Sequence, residues 1–312
     1  MRANAQKRDD NCSMATAVVL AAGCGRRLRP LTERAPKSLL VVERNNRIID
    51  YILGSLKECL VTDVIVVVGY LHKSIVARAD SEGNMNIALI LAGGVGSRCG
   101  SSVPKQFVKV NGKPLIIYTL EKFNSCSLID GICVACEDGW QDELKLYAEK
   151  YDIDKLRNIC LGGRTGLESV KNGLNALSYA KPDDLILIHD AVRPFVDEET
   201  IVDNIHVAQK YGLAMASIEC VETLVRTTDG TFSSEVIPRD NLRRILTPQT
   251  FKYEILQKLF RSCDIIKSKE PSVFALYMST GEPIYCSRGN SKNIKITYLD
   301  DLEYCKKLFG EE

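Results

Sequence analysis

The chain has little of what most often announces metal or redox chemistry: three histidines and one tryptophan in 312 residues. A structural zinc site draws on four closely spaced cysteine or histidine ligands. Here Cys133 and Cys136 form the one Cys-x-x-Cys pair, with no second pair to complete a site, so they read as two core thiols on a strand. No apolar run approaches the roughly 20 residues that span a bilayer. The opening MRANAQKRDDNCSM is polar and lacks the apolar segment of a secretory signal. The formal net charge is only +1, which excludes a global field drawing the protein onto nucleic acid or an anionic membrane. Cysteine, by contrast, is plentiful at 12 residues. It is scattered through apolar runs such as Ile132–Cys136 in the manner of a reduced, cytoplasmic protein, where cysteine serves as a small buried hydrophobe.

What is present is a repeat. Ala17-Val-Val-Leu-Ala-Ala-Gly-Cys-Gly-Arg-Arg is followed by Ala35-Pro36-Lys37, a helical stretch over 48–56 and an apolar run over 64–69. The same plan recurs as Ala88-Leu-Ile-Leu-Ala-Gly-Gly-Val-Gly-Ser-Arg, then Val103-Pro104-Lys105, a helical stretch over 115–123 and the run 132–136. Each copy reads strand, glycine loop, helix, strand. The expected organisation is a polar tail over 1–15, a partial βαβ unit over 16–80, a linker over 81–86 and a main domain over 87–312. Short apolar strands at 158–161, 185–189 and 213–219 alternate with helical patterns at 168–179 and 198–211. That alternation predicts a three-layer, Rossmann-like α/β sandwich with a mostly parallel sheet. The alternation breaks at 221–226 and 235–239, where two extended segments flank a turn and predict a β-arm projecting from the sheet over about 219–247. Residues 252–261 and 299–309 read as closing helices.

In an open parallel sheet, ligands bind where strands hand over to loops at their C-terminal ends. Gly94 and Gly96 let the backbone approach a phosphate and turn N–H groups toward it, and Arg98 and Lys105 add positive charge. Transfer at phosphorus gathers negative charge on the equatorial oxygens, so a glycine loop with fixed cations suits it. A Walker loop is absent, and a dinucleotide fingerprint lacks its third glycine, since Cys99 follows Arg98. A nucleotide-dependent oxidoreductase and a nucleotide-sensing module stand as the rival classes.

Ala88–Phe107, Gly162-Gly-Arg-Thr-Gly-Leu-Glu-Ser-Val170, His189-Asp-Ala-Val-Arg-Pro194, Thr247-Pro-Gln249 and Asn293-Ile-Lys-Ile-Thr297 occur in that order. They resemble the 2-C-methyl-D-erythritol 4-phosphate cytidylyltransferase family, which includes ribitol 5-phosphate cytidylyltransferases, from Met85 to the C-terminus. The resemblance implies a nucleotidyltransferase that transfers CMP from CTP to a polyol phosphate, ribitol 5-phosphate being favoured and 2-C-methyl-D-erythritol 4-phosphate the alternative. It implies Mg²⁺ as cofactor and a homodimer with exchanged arms. By position, Ala92, Gly93, Gly94 and Gly96 belong to the loop around the triphosphate, and Arg98, Lys105 and Lys295 to the catalytic cations. Gly163 and Ser169 fall at the cytosine and ribose, and Asp190 near the metal. Arg193, Thr223, Arg239 and Thr247 fall on the acceptor side, with Thr223 and Arg239 on the arm that reaches the partner's site. His189 reads as a packed, hydrogen-bonded core residue, since an ionised attacking phosphate needs no general base. The chain departs from the family at Gly166, where an arginine is frequent, and at Pro271-Ser272, where a threonine-aspartate pair is frequent.

The first copy resembles a different branch, the sugar-phosphate and phosphocholine nucleotidylyltransferases, through Gly23, Gly25, Arg27 and Lys37. It stops after its second strand. An inert remnant docked on the main sheet, a dimerising or regulatory role and independent catalysis are the three readings it leaves.

Overall fold

The computed structural model describes residues 16–21, 37–43, 46–59, 63–67, 83–94, 103–263 and 272–310. Gly96 and Arg98, the glycine-loop residues Gly23, Gly25 and Arg27 of the first copy, and Pro271 lie outside the described residues. The chain divides into two compact units, 1–79 and 80–312.

In the first unit, β1 (Thr16–Leu20) is followed by the short antiparallel strands β2 (Val41–Glu43) and β3 (Asn46–Arg47), helix α1 (Ile48–Glu58) and β4 (Asp63–Val67). β1 and β4 pair in parallel, Val18 opposite Ile65 and Leu20 opposite Val67. The start of α1 is fixed by Asp50, whose carboxylate accepts from the Arg47 N–H at 2.7 Å.

The second unit carries β5 (Asn86–Ala92), β6 (Lys109–Val110), β7 (Lys113–Pro114), α2 (Leu115–Ser125), β8 (Gly131–Cys136), α3 (Gln141–Lys150), β9 (Leu156–Leu161), α4 (Gly166–Ala176), β10 (Leu185–Asp190), α5 (Glu198–Tyr211), β11 (Leu213–Glu219), β12 (Leu224–Arg226), β13 (Glu235–Ile237), β14 (Arg243–Lys252), α6 (Tyr253–Ser262), α7 (Val273–Met278), β15 (Cys286–Arg288) and α8 (Leu299–Leu308). Seven of these strands form one sheet in the order β15-β11-β14-β10-β5-β8-β9. Every pairing in it is parallel except those of β14, which runs against both β10 and β11. The mostly parallel sheet expected from the alternation is therefore present. β5 is apolar from Ile87 to Ala92, and β8 is apolar and wholly buried, as strands covered on both faces must be.

Alternation along the strands assigns the helices to faces. Ile87, Leu89, Ile186, Ile188 and Phe251 join one core with Leu167, Val170 and Leu174 of α4, Leu256 of α6 and Leu276 of α7. Their neighbours point the other way: His189 lies against Phe123 of α2, and Thr250 donates to Asn204 of α5. Helices thus cover both faces.

Strand β14, the edge strand β15 and the helices α3 and α7 were not foreshadowed by a clear pattern. β14 contains Pro248, which sequence reasoning treats as a sign against a central strand. The sheet accommodates it at an irregularity: β11 pairs Met215 with Gln249 and Ser217 with Ile245, skipping the Pro248 region. The stretch 293–297, whose alternation resembles a strand, is not one, and its hydrogen bonds instead tie it to the loop after β10. The arm is present as the hairpin β12–β13, exposed along β12.

Candidate active site

Strand β5 is followed in the sheet by β8 on one side and flanked by β10 on the other, so the chain reverses direction of winding at β5 and β10. A crevice opens outside the C-terminal ends of strands at such a point. Here it is a cleft of about 410 Å³ whose walls include Ala92, Gly93 and Gly94 after β5, Gly163 and Ser169 around the start of α4, Asp190 and Arg193 at the end of β10, and Thr247, Lys105 and Lys295. These are the described residues that the sequence assigned to nucleotide, cations, metal and acceptor, with the arm pair excepted.

The glycines act through close approach. The Cα atoms of Gly93 and Gly162 meet so tightly that a Cβ on Gly162 would sit 2.8 Å from Gly93 Cα. A Cβ on Gly163 would sit 2.2 Å from Glu168 Cβ. Gly94 has φ +101°, left-handed backbone that glycine adopts without strain. Its N–H donates to the Glu137 carboxylate, and the buried Gln106 amide donates to Ala92 O at 2.6 Å and Gly94 O at 3.3 Å. On the opposite wall, Thr165 caps α4 by accepting from Glu168 N at 3.1 Å. The Ser169 hydroxyl accepts from Gly163 N at 2.9 Å and donates to Thr165 O at 3.0 Å.

Two cations meet at Asp190. Arg193 Nε donates to Oδ2 at 2.8 Å and Lys295 Nζ to Oδ1 at 3.1 Å. Burial alone would raise the Asp190 pKa, but Lys295 and then Arg193 outweigh it and hold the carboxyl at about 2. Lys105 reaches the same segment from the other side, donating from Nζ to Ile296 O at 3.2 Å. Ile296 N in turn donates to Val192 O at 3.0 Å.

Below this surface His189 is fully buried. Its Nε2 lies 3.2 Å from the Arg193 carbonyl and its Nδ1 2.9 Å from the Thr247 hydroxyl. A carbonyl only accepts, so Nε2 carries the proton and Nδ1 accepts from Thr247. Burial, partly offset by the Asp190 charge, pushes the imidazole pKa down to about 4. A neutral ring with both nitrogens engaged is a structural member, as expected.

Thr223 and Arg239 stand apart from the cleft. Both are exposed, and the Arg239 guanidinium donates to Val221 O at the base of the arm. The apolar residues Val221, Val225, Phe232 and Val236 around them are exposed as well. Sequence reasoning gave no role to Gln106, Glu137, Thr165 or Asn293, although Gln106 and Asn293 lie inside the motifs, each within two residues of a named lysine. For Gln106 and Asn293 the signal was their place inside a motif; their burial comes from the fold.

Glycine backbones, two lysines and an ionised aspartate thus line one cleft. The family model for 2-C-methyl-D-erythritol 4-phosphate cytidylyltransferase matches residues 86–310. The chain belongs to this family. The family model described as nucleotidyl transferase matches residues 16–86, so the first copy has its own separate affinity. Among named relatives, the cytidylyltransferase region is 39% identical over 235 residues to a ribitol-5-phosphate cytidylyltransferase of Lacticaseibacillus paracasei, covering 73% of this chain and 99% of that protein. It is 37% identical over 223 residues to a 2-C-methyl-D-erythritol 4-phosphate cytidylyltransferase of Clostridium acetobutylicum, covering 70% of this chain and 94% of that one. The solved 2-C-methyl-D-erythritol 4-phosphate cytidylyltransferase of Francisella tularensis superposes with a TM-score of 0.57 at 31% identity, over 71% of this chain and 99% of its own. The protein is a cytidylyltransferase, a member of the nucleotidyltransferase class, and its α/β sheet is that of the solved relatives.

Proposed function

We propose that the cleft transfers CMP from CTP to ribitol 5-phosphate and releases pyrophosphate. The observation that carries CMP transfer is the convergence of Lys105 and Lys295 on the segment beside Asp190, at the mouth of a glycine-lined crevice; the choice of acceptor is supported by the 39% identity to a ribitol-5-phosphate cytidylyltransferase. A phosphate oxygen of the acceptor attacks the α-phosphorus of CTP in line. A new P–O bond forms, the bond to the bridging oxygen breaks, and its electron pair leaves with pyrophosphate. Lys105 and Lys295 hold the charge that gathers on the α-phosphate oxygens, where fixed cations act more strongly than water does. Arg98 completes that set in the motif. Ala92, Gly93, Gly94 and Gly96 wrap the triphosphate, and Gly163 and Ser169 contact the cytosine and ribose. Arg193 and Thr247 face the acceptor.

Magnesium fits this residue set. It is held by one or two carboxylates together with substrate phosphates, keeping several waters. Asp190 is a carboxylate ionised at the cleft wall, and among the described residues no cluster of three acidic, histidine or cysteine side chains forms a self-sufficient metal cage. Asp190 would hold the ion, whose charge would offset part of that on the triphosphate.

The exposed arm supports a homodimer in which Thr223 and Arg239 serve the partner's acceptor site, since its apolar side chains have no cover within the described chain. The placement of cysteines such as Cys133 and Cys136 in the buried core, the usage of a protein with reduced thiols, and the use of CTP favour a cytoplasmic setting. All the cleft residues named lie within 80–312, and turnover is expected to survive removal of residues 1–79.

The test is magnesium-dependent pyrophosphate release from CTP, with ribitol 5-phosphate and 2-C-methyl-D-erythritol 4-phosphate measured side by side. Faster turnover with ribitol 5-phosphate is expected. Preference for the methylerythritol phosphate would overturn the acceptor assignment and leave the reaction class standing.

A further inference from the structure

Four residues from three distant stretches close a ring of hydrogen bonds under the cleft floor. Asn293 Nδ2 donates to Thr247 O at 2.7 Å. The Thr247 hydroxyl bonds His189 Nδ1 at 2.9 Å, His189 Nε2 bonds Arg193 O at 3.2 Å, and Arg193 Nη1 returns to Asn293 O at 2.8 Å. Asn293 is 1% exposed, and its Oδ1 has no hydrogen-bond partner among the described residues. An amide that leaves one buried oxygen unbonded costs stability that an apolar side chain would not. The Asn293 side-chain amide donates to Thr247 O and its backbone carbonyl accepts from Arg193 Nη1, while its backbone N–H donates to Asn290 O at 3.0 Å.

Arg193 leaves the ring to grip Asp190. Lys295 stands two residues beyond Asn293 and meets the other Asp190 oxygen. The ring therefore ties the segment that bears Lys295 to β14, and ties both to the end of β10. A lysine is a flexible four-carbon stem, so its position over a reacting phosphate depends on how firmly its backbone is held, and a misplacement of about 1 Å is enough to lose much of its effect.

We infer that Asn293 is a positioning residue for CMP transfer, acting through Lys295 by way of its bond to the Thr247 carbonyl. This rests on the reading of Lys295 as a cation of the transition state. A group that acts only in the transition state changes kcat rather than KM, and two residues acting as one unit give non-additive losses.

The experiment is a kinetic cycle on the full chain with Asn293→Ala, Asn293→Asp, Lys295→Ala and the Asn293→Ala/Lys295→Ala double variant, with each Tm recorded. Asp keeps the shape of Asn but turns the Nδ2 donor into an acceptor. The expected result is a loss of about 10–100-fold in kcat for both Asn293 variants with KM for CTP little changed, and a further loss of less than about threefold when Asn293→Ala is added to Lys295→Ala. Normal kcat in Asn293→Asp would overturn the inference, because shape alone would then suffice. So would full additivity in the double variant. Wild-type turnover in Lys295→Ala would instead remove the reading of Lys295 itself, and the inference with it. If Asn293→Ala does not fold, the Asp variant alone and in the Lys295→Ala background supplies the same comparison.

Discussion

Lys295 and Asp190 stand 105 positions apart in sequence and 3.1 Å apart in space. The contact is half-exposed on the lysine side, with Lys295 at 46% and Asp190 at 18% side-chain accessibility, so the ammonium is free to leave the carboxylate for an incoming phosphate. Replacing Lys295 with alanine is expected to lower kcat by about 100–1,000-fold, the effect of removing one fixed transition-state donor. The same change takes away the largest influence lowering the Asp190 pKa, which should move upward from about 2. Steady-state kinetics and carboxyl NMR titration check the two parts separately.

Lys105 enters from a different element and bonds Ile296 O. Its replacement by alanine is expected to reduce kcat by orders of magnitude, a loss of about 3–4 kcal/mol in transition-state binding. Replacement by arginine should rescue little, because a planar fork cannot occupy the place of a compact ammonium. Near-normal turnover of the alanine variant would refute the role.

The sheet was legible because β5, β8 and β10 are short apolar runs between helical patterns, and burial on both faces demands such runs. The crevice followed, since glycines after β5 and the charged residue ending β10 mark the point where winding reverses. Strand β14 was not legible: its register depends on an irregularity in which residues 246–248 stand opposite Ala216 of β11 alone, a relation between two chain segments that neither shows by itself. The place of Asn293 was hidden for the same reason. Its partners lie at Thr247 and Arg193, and only the folded chain brings them within 3 Å. Lys295, by contrast, was named by its motif, Asn293-Ile-Lys-Ile-Thr297.

Gly162 joins two walls of the cleft by having no side chain. A Cβ there would lie 2.8 Å from Gly93 Cα and 3.1 Å from Cys136 O, and backbone neighbours cannot rotate away. Gly162→Ala should push the Gly93–Gly94 loop off the start of α4. The expected outcome is a destabilisation of about 1–3 kcal/mol together with a raised KM for CTP, read from urea denaturation and initial rates. An unchanged KM would mean that the two walls bind nucleotide independently.

The thiols of β8 separate burial from reactivity. Cys136 is fully buried, and burial, with the neighbouring Glu137 charge, pushes its pKa up to about 12. Cys305 is raised to about 12 by burial and by Asp301, and Cys133 is raised as well, chiefly by its hydrogen bond with Cys160 and by burial. Cys59 and Cys286 are exposed. Alkylation requires the thiolate and access to it, so iodoacetamide at pH 8 should label Cys59 and Cys286 in the native protein and spare Cys133, Cys136 and Cys305. Peptide-resolved mass spectrometry before and after urea would show the protected set appear only on unfolding. Native labelling of Cys136 would mean that the end of β8 opens to solvent next to Glu137, and the hold of Glu137 on Gly94 would then be transient.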